Sequence, residues 1–328
     1  MAKAIGRLVN IGLGKEGTRG TAAAATHWLP KTELTFQDKR DKVESSESLG
    51  VIDEFHEAFT VACYAEGDIN GEIRDKSFGM LLYGLLGTVS SAVNETTAYD
   101  HTFTLDNDSN SHQSLSISVD DPAQGQDFLF KLAMLSSLTI DANLGEISTF
   151  SSNFISKKAN DWTALTASYT LENKFVSRMI KVKLAANIAG LAAASEIDIK
   201  SVSLTVAKNL TRDHLLGTCD PEDIHNQQFN VEGEMVINLE NTTYKDYYLD
   251  NTYRAMQIDM LNTEVTIGAT SNPELKIQLP RVEFMDWTPE RPNNELSTQT
   301  IGFKGYYDVT NDQNSIHQII LTNETTSY

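Results

Sequence analysis

Two cysteines in 328 residues, Cys63 and Cys219, are far apart in the chain and each is alone in its neighbourhood. They offer neither a disulfide framework nor the spacing of a thiolate metal site. Long apolar runs are missing too. The longest, Phe78 to Val89, is too short to cross a bilayer and is broken by Gly79, Gly84 and Gly87. Met1 to Arg7 holds no apolar h-region, so no secretory signal peptide is expected there. Asn-x-Ser/Thr triplets such as Asn241-Thr242-Thr243 carry no weight without a secretory route. Positive charge is scarce: 26 Lys and Arg against 45 Asp and Glu leave a net charge of −19. With no basic cluster, this balance argues against a sequence-reading nucleic-acid binder. Any handling of DNA would take the form of refusing to stick to it.

Catalytic signatures are equally thin. The seven histidines show no H-x-x-x-H or H-E-x-x-H spacing, and there is no G-x-S-x-G elbow. Gly12-Leu13-Gly14-Lys15-Glu16-Gly17 has the spacing of a dinucleotide loop, but Thr18-Arg19-Gly20-Thr21 and Pro30 follow it instead of a helix to hold a pyrophosphate. Asp106-Asn107-Asp108-Ser109-Asn110 starts like a calcium loop, yet Ser111 replaces the glycine and Ile117 the bidentate glutamate. A turn between strands explains it. The reading is a non-enzyme with no cofactor, no metal and no membrane partner.

What the chain does have is alternation. Glu33 to Phe36, Phe59 to Ile73, Ser114 to Val119 and Lys131 to Ile140 are short, β-branched and bounded by Asn, Asp, Gly and Ser, which predicts strands. A helix is expected at about Asp75 to Leu86, with Asp75 or Ser77 as cap and Gly87 at its end. The Gly- and Ala-rich residues 1–28 lack a helical period and are read as an extended arm.

The chain then repeats itself. Lys31 to Phe36 resembles Lys200 to Val206, and Ala65-Glu66-Gly67-Asp68-Ile69-Asn70-Gly71 resembles Val231-Glu232-Gly233-Glu234-Met235-Val236-Ile237. The helix follows the first copy, and Thr243 to Leu249 offers a shorter one after the second. Each copy ends in long strands around a turn, at 132–156 and 275–307. The expected organisation is an arm (1–28), a first module (29–158), a connecting region (159–198) and a second module (199–328).

The repeated strand carries the chemistry. With a period of two, Glu66, Asp68, Asn70 and Glu72 share one face, and Glu232, Glu234, Asn238 and Glu240 share another, interrupted by Val236. The plain reading is a solvated sheet face; the sharper one is an acidic lining of an aqueous channel.

Residues 11–87 resemble the tail tube proteins of siphophages, through Gly14-Lys15-Glu16-Gly17-Thr18-Arg19-Gly20-Thr21, Trp28-Leu29-Pro30, Ser48-Leu49-Gly50-Val51-Ile52-Asp53, Ala65 to Gly71 and Asp75 to Leu82. The resemblance implies a mainly β, sandwich- or barrel-like fold with short flanking helices. It implies subunits that form rings, stack into the conduit for DNA ejection and have no catalytic residues. Arms and loops from one ring dock on the next, with 1–28, Asp38 to Asp53 and Thr288 to Glu295 as candidates. Two modules per chain predict a trimeric, pseudo-sixfold ring, with a hexamer as the alternative. The implied partners are other copies, a tape-measure protein and transiting double-stranded DNA bound without sequence preference. The implied setting is a virion tail assembled in the host cytoplasm. No C-terminal immunoglobulin-like domain is expected. Competing readings are a tail terminator or distal-tail ring protein of the same fold, or an acidic β-rich carbohydrate-binding module.

Overall fold

The computed structural model describes residues 5–122, 127–162 and 166–328, so residues 1–4 of the expected arm lie outside them. Strand makes up 55% and helix 9%; the protein is mainly β, as the alternation predicts. The first half contains β1 (Asn10–Lys15), β2 (His27–Leu29), β3 (Lys31–Leu34), β4 (Gln37–Ser45), β5 (Glu57–Glu72) and α1 (Phe78–Leu86). It continues through β6 (Gly87–Glu95), β7 (Ala98–Leu105), β8 (Leu115–Asp120), β9 (Asp127–Asn143), β10 (Thr149–Ser156) and β11 (Asn160–Trp162). The second half contains β12 (Ile180–Ala185), β13 (Glu196–Ile197), β14 (Ile199–Asp213), β15 (Asp223–Asn238) and α2 (Thr243–Leu249). It ends with β16 (Arg254–Leu261), β17 (Glu274–Glu290), β18 (Thr298–Gly305) and β19 (Gln318–Asn323).

One antiparallel sheet runs β3/β4–β5–β10–β9–β14–β15–β18–β17. Its inner face is apolar: Ile69, Phe154, Leu138, Leu204, Met235 and Phe303 are all buried in a single core. β9 and β17 are long enough to leave this sheet and enter a second layer. The N-terminal part of β9 pairs with β8, which pairs with β1 and then β2. The N-terminal part of β17 pairs with β16, which pairs with β12 and then β13. Each half is therefore two layers hinged on one bent strand.

The pairing irregularities fall at matching places in the two halves. The β3–β5 register slips between Lys31 and Glu33, and β14–β15 slips between Ile199 and Ser201. The β9–β10 slip at Asn153/Phe154 is matched by the β17–β18 slip at Phe284/Asp286. The β8–β9 slip at Leu115/Ile117 is matched at Arg254/Met256. Bulges bend strands and increase twist, so both halves bend their sheets at the same points.

Residues 10–15 and 27–29, expected within an arm, are strands of the body. β1 is hydrogen-bonded on both sides and buries Ile11 and Leu13 completely. The glycines that suggested flexibility are there for closeness: a Cβ on Gly12 would strike Ala25, and one on Gly14 the Ala24 carbonyl. Residues 180–197, expected as a connection, form β12 and β13.

α1 is buried along its whole length and ends at Gly87, whose φ of 91° is the left-handed cap the sequence predicts. Ser77 makes no side-chain cap; its hydroxyl donates to Glu172 instead. Asp75 is buried, and its carboxylate accepts the Asn173 backbone and side-chain N–H groups at 2.8 and 2.7 Å. Burial nonetheless pushes its pKa up. α2 spans Thr243–Leu249 as expected, with none of its residues fully buried.

Candidate functional site

The outer face of the main sheet is the candidate surface. Directly opposed residues in a sheet share a face, so the register assigns its rows. Glu66 lies opposite Gln37 and Ile155, Asp68 opposite Asn153, Asn70 opposite Ser151, and Glu72 opposite Thr149. Farther across, Asp141 lies opposite Ser203, Ser203 opposite Glu234, and Thr205 opposite Glu232. Glu232 lies opposite Lys304, Glu234 opposite Gly302, and Asn238 opposite Thr298. The predicted residues of both halves therefore stand on one face of one continuous sheet. Glu240 is the exception. It lies past the end of β15 at Asn238, in the turn before α2.

The face is polar throughout but not uniformly bare. Glu72 carries Lys174 at 2.6 Å and Arg74 at 3.2 Å, so two cations neutralise it. Glu66 lies 3.5 Å from Lys39. Asp68 accepts the Asn153 side-chain N–H at 2.7 Å, and Asn70 donates to Glu33 at 3.0 Å. Glu232 and Glu234 are exposed to solvent. Sequence reading overlooked Glu33, Asp141, Asp286 and Glu290, which share the face. Alternation within the long strands β9 and β17 could have placed them, as it placed Glu66 and Asp68.

Deeper polar contacts join the halves. Glu16 is 3% exposed, and its carboxylate accepts from Gly20 N (2.7 Å), Ser114 Oγ (2.6 Å), Ser116 Oγ (3.0 Å) and Leu132 N (2.8 Å). Those donors tie β1, β8 and the bend of β9 together, where Leu132 holds a φ of 55°. A left-handed leucine costs roughly 1–2 kcal/mol, which the surrounding bonds must offset. Arg19 reaches from the first half to Asp223 at 2.7 Å and to the Ile224 carbonyl at 2.7 Å. The loop that looked like a nucleotide binder is thus a fastener.

Lys208, buried under the sheet, donates to the Gly84 carbonyl in the last turn of α1 at 2.6 Å. A cation there complements the helix dipole, yet burial, aided by the Arg19 charge, pulls its pKa down to about 7. Glu95, at the end of β6, accepts from Thr270 Oγ1, Thr270 N, Ser271 N and Ala269 N of the second half. The Thr270 hydrogen bonds hold it down to about 2.

The cysteines correct the sequence reading. Cys63 N donates to the Cys219 carbonyl at 2.8 Å, and the two thiols and Asp220 lie within 4.8 Å of one another. Separation along the chain said nothing of this contact. A resident metal is poorly served, because Lys158 sits 3.4 Å from Asp220. The hydrogen bond with Cys219, and then burial, push the Cys63 thiol up, away from the thiolate a metal needs.

Among the described residues no helix is long and apolar enough to cross a membrane. No curated protein matches the chain. A family model described as phage tail tube protein matches residues 6–305, from the turn before β1 to the end of β18. That match spans both halves and most of the molecule, and the chain belongs to the phage tail tube protein family.

Proposed function

We propose that this tail component is a double tube module whose copies close into rings, stack, and form the passage for DNA ejection. The observation that carries the reading is the repeated order of strands, helix and bulges, which gives one chain two equivalent building blocks. The first block runs from β1 to β11 and the second from β12 to β19, so β12 and β13 belong with the second rather than with a connection. Two blocks per chain favour a trimeric, pseudo-sixfold ring over a hexamer.

The acidic outer face of the main sheet is the proposed lumen wall. Glu66, Asp68, Glu232 and Glu234 would repel phosphates and keep double-stranded DNA mobile, with a tape-measure protein as the earlier occupant. Assembly would take place in the host cytoplasm. The β4–β5 hairpin is the proposed contact to the next ring. Its tip and flanks expose Val43, Leu49, Val51, Ile52, Phe55 and Phe59, an apolar patch of the kind that marks an interaction site. The test is assembly of particles carrying Glu66→Lys with Glu232→Lys. Tubes should form normally while genome delivery falls by about tenfold or more, as expected when a repelling wall becomes an adhesive one. Unimpaired infection would remove the lumen assignment.

A further inference from the structure

The main sheet has two unpaired edges among the described residues, the outer edge of β3/β4 and the edge of β17 from Asp286 to Glu290. Unpaired edges expose rows of N–H and C=O groups that invite another strand. Between the halves the corresponding edges are already joined. β9 pairs with β14 in the register Asp141↔Ser203, Thr139↔Thr205 and Ser137↔Ala207. In the second half β17 stands where β9 does: Thr149↔Asp141 on β10 is matched by Thr298↔Glu290 on β18, and Asn153↔Ser137 by Gly302↔Asp286. In the first half β3/β4 stands where β14 does: Gln37↔Glu66 is matched by Thr205↔Glu232, and Arg40↔Cys63 by Lys208↔Phe229.

We propose that the seam inside the chain is repeated between chains, with β17 of one copy pairing with β3/β4 of the next in the register Asp286↔Lys39, Thr288↔Gln37 and Glu290↔Thr35. This rests on the self-assembly reading and adds the residue-by-residue contact. Two independent observations favour a second copy as the occupant. The register places Lys39 opposite Asp286, a complementary pair where the internal seam has Ala207 and Ser137. Arg40 occupies the place of Lys208. Where Lys208 donates to the last turn of α1, Arg40 of the next copy reaches the last turn of α2, beside Asp250. Both Lys39 and Arg40 are exposed in the single chain, as groups awaiting a partner would be. Pro289 lies inside the β17 edge and has no N–H to give, which discourages indiscriminate strand addition there.

The internal pair Thr139/Thr205 brings its hydroxyls to 3.0 Å, so the matching pair between chains is close enough for a disulfide. In a Cys63→Ser, Cys219→Ser background, Thr288→Cys with Gln37→Cys should give reducible, interchain-linked multimers from assembled tubes. Thr288→Cys with Thr35→Cys, slipped by one pair on the same face, should not. Cross-linking of the slipped pair, or of neither pair, in a wild type that does form tubes overturns the register and leaves self-assembly standing. A wild type that forms no higher assembly contradicts the self-assembly reading itself. Since the cysteine changes can disturb folding, a second arm uses charge. Lys39→Glu and Asp286→Lys should each raise the critical concentration for assembly by about tenfold, and together restore it. Single variants that match wild type, or a double variant that recovers nothing, overturn the pairing.

Discussion

The two halves share strand order, pairing and bulges, but the first is finished and the second is not. α1 is covered on all sides: by β7 and β9, by Tyr328 packed on Gly79, and by Lys208 from the other half. α2 packs mainly on β17, with Tyr244 and Tyr247 against Phe284, and keeps no residue fully buried. The outer edge of β9 is occupied by β14, whereas the matching edge of β17 is open. The first half also carries an extra hairpin, β6–β7, whose second strand pairs with β19 and so belongs to both halves. The lesson is positional. Wherever the chain repeats itself, the first copy displays the contact and the second displays its vacancy.

The largest expected effect concerns Glu16 and its counterpart. Asn187 occupies the matching place after β12, where it accepts only the Gly190 N–H, at 3.1 Å, and is exposed. Glu16→Ala strands four donors in the interior and should destabilise the protein by roughly 3 kcal/mol or more, since an orphaned buried group costs about 1–3 kcal/mol. Asn187→Ala removes a single exposed cap and should cost about 1 kcal/mol at most. Equal losses in urea unfolding would break the comparison.

Lys208 and Arg40 give the next test. The folded pKa of Lys208, about 7, lies below the unfolded value of about 10.4. Between those values the unfolded chain binds more protons, so this group's contribution to stability rises with pH. The full cost of burying its charge, on the order of a few kcal/mol, applies below pH 7 and fades toward pH 10. Lys208→Met should flatten the stability profile between pH 7 and 10 relative to wild type. Arg40→Met, made in the unassembled chain, should leave that profile unchanged.

A smaller effect attaches to Glu95, which clips the extra hairpin to the loop before β17. Its folded pKa of about 2 is below the unfolded value of about 4.3. Its contribution is present above pH 4.3 and lost as pH falls through 2. The Thr270 and Ser271 amide resonances should therefore titrate with a midpoint near 2. A midpoint near 4 would mean the clip is open in solution.

Much of this was legible in the sequence, for physical reasons. Strict alternation placed Glu66, Asp68, Asn70 and Glu72 on one face because a strand has no other way to bury Ile69. The bounds of α2 and the left-handed Gly87 followed from local chemistry. β1 was missed because its glycines serve a close approach that only the folded neighbours reveal. Glu16 was missed because a carboxylate buried by four donors looks, in sequence, like any acid of an acidic chain. The contact of Cys63 with Cys219 depends on the β14–β15 loop reaching β5, which no local pattern encodes.

The central claim is that one chain supplies two tube modules and leaves one seam for its neighbour. Electron microscopy of purified protein, with cross-sections of any tubes resolved, tests it most directly. The account predicts hollow tubes whose rings contain six similar modules but only three β6–β7 hairpins, one per chain. Six hairpins per ring, or a chain that stays monomeric at high concentration, would contradict it.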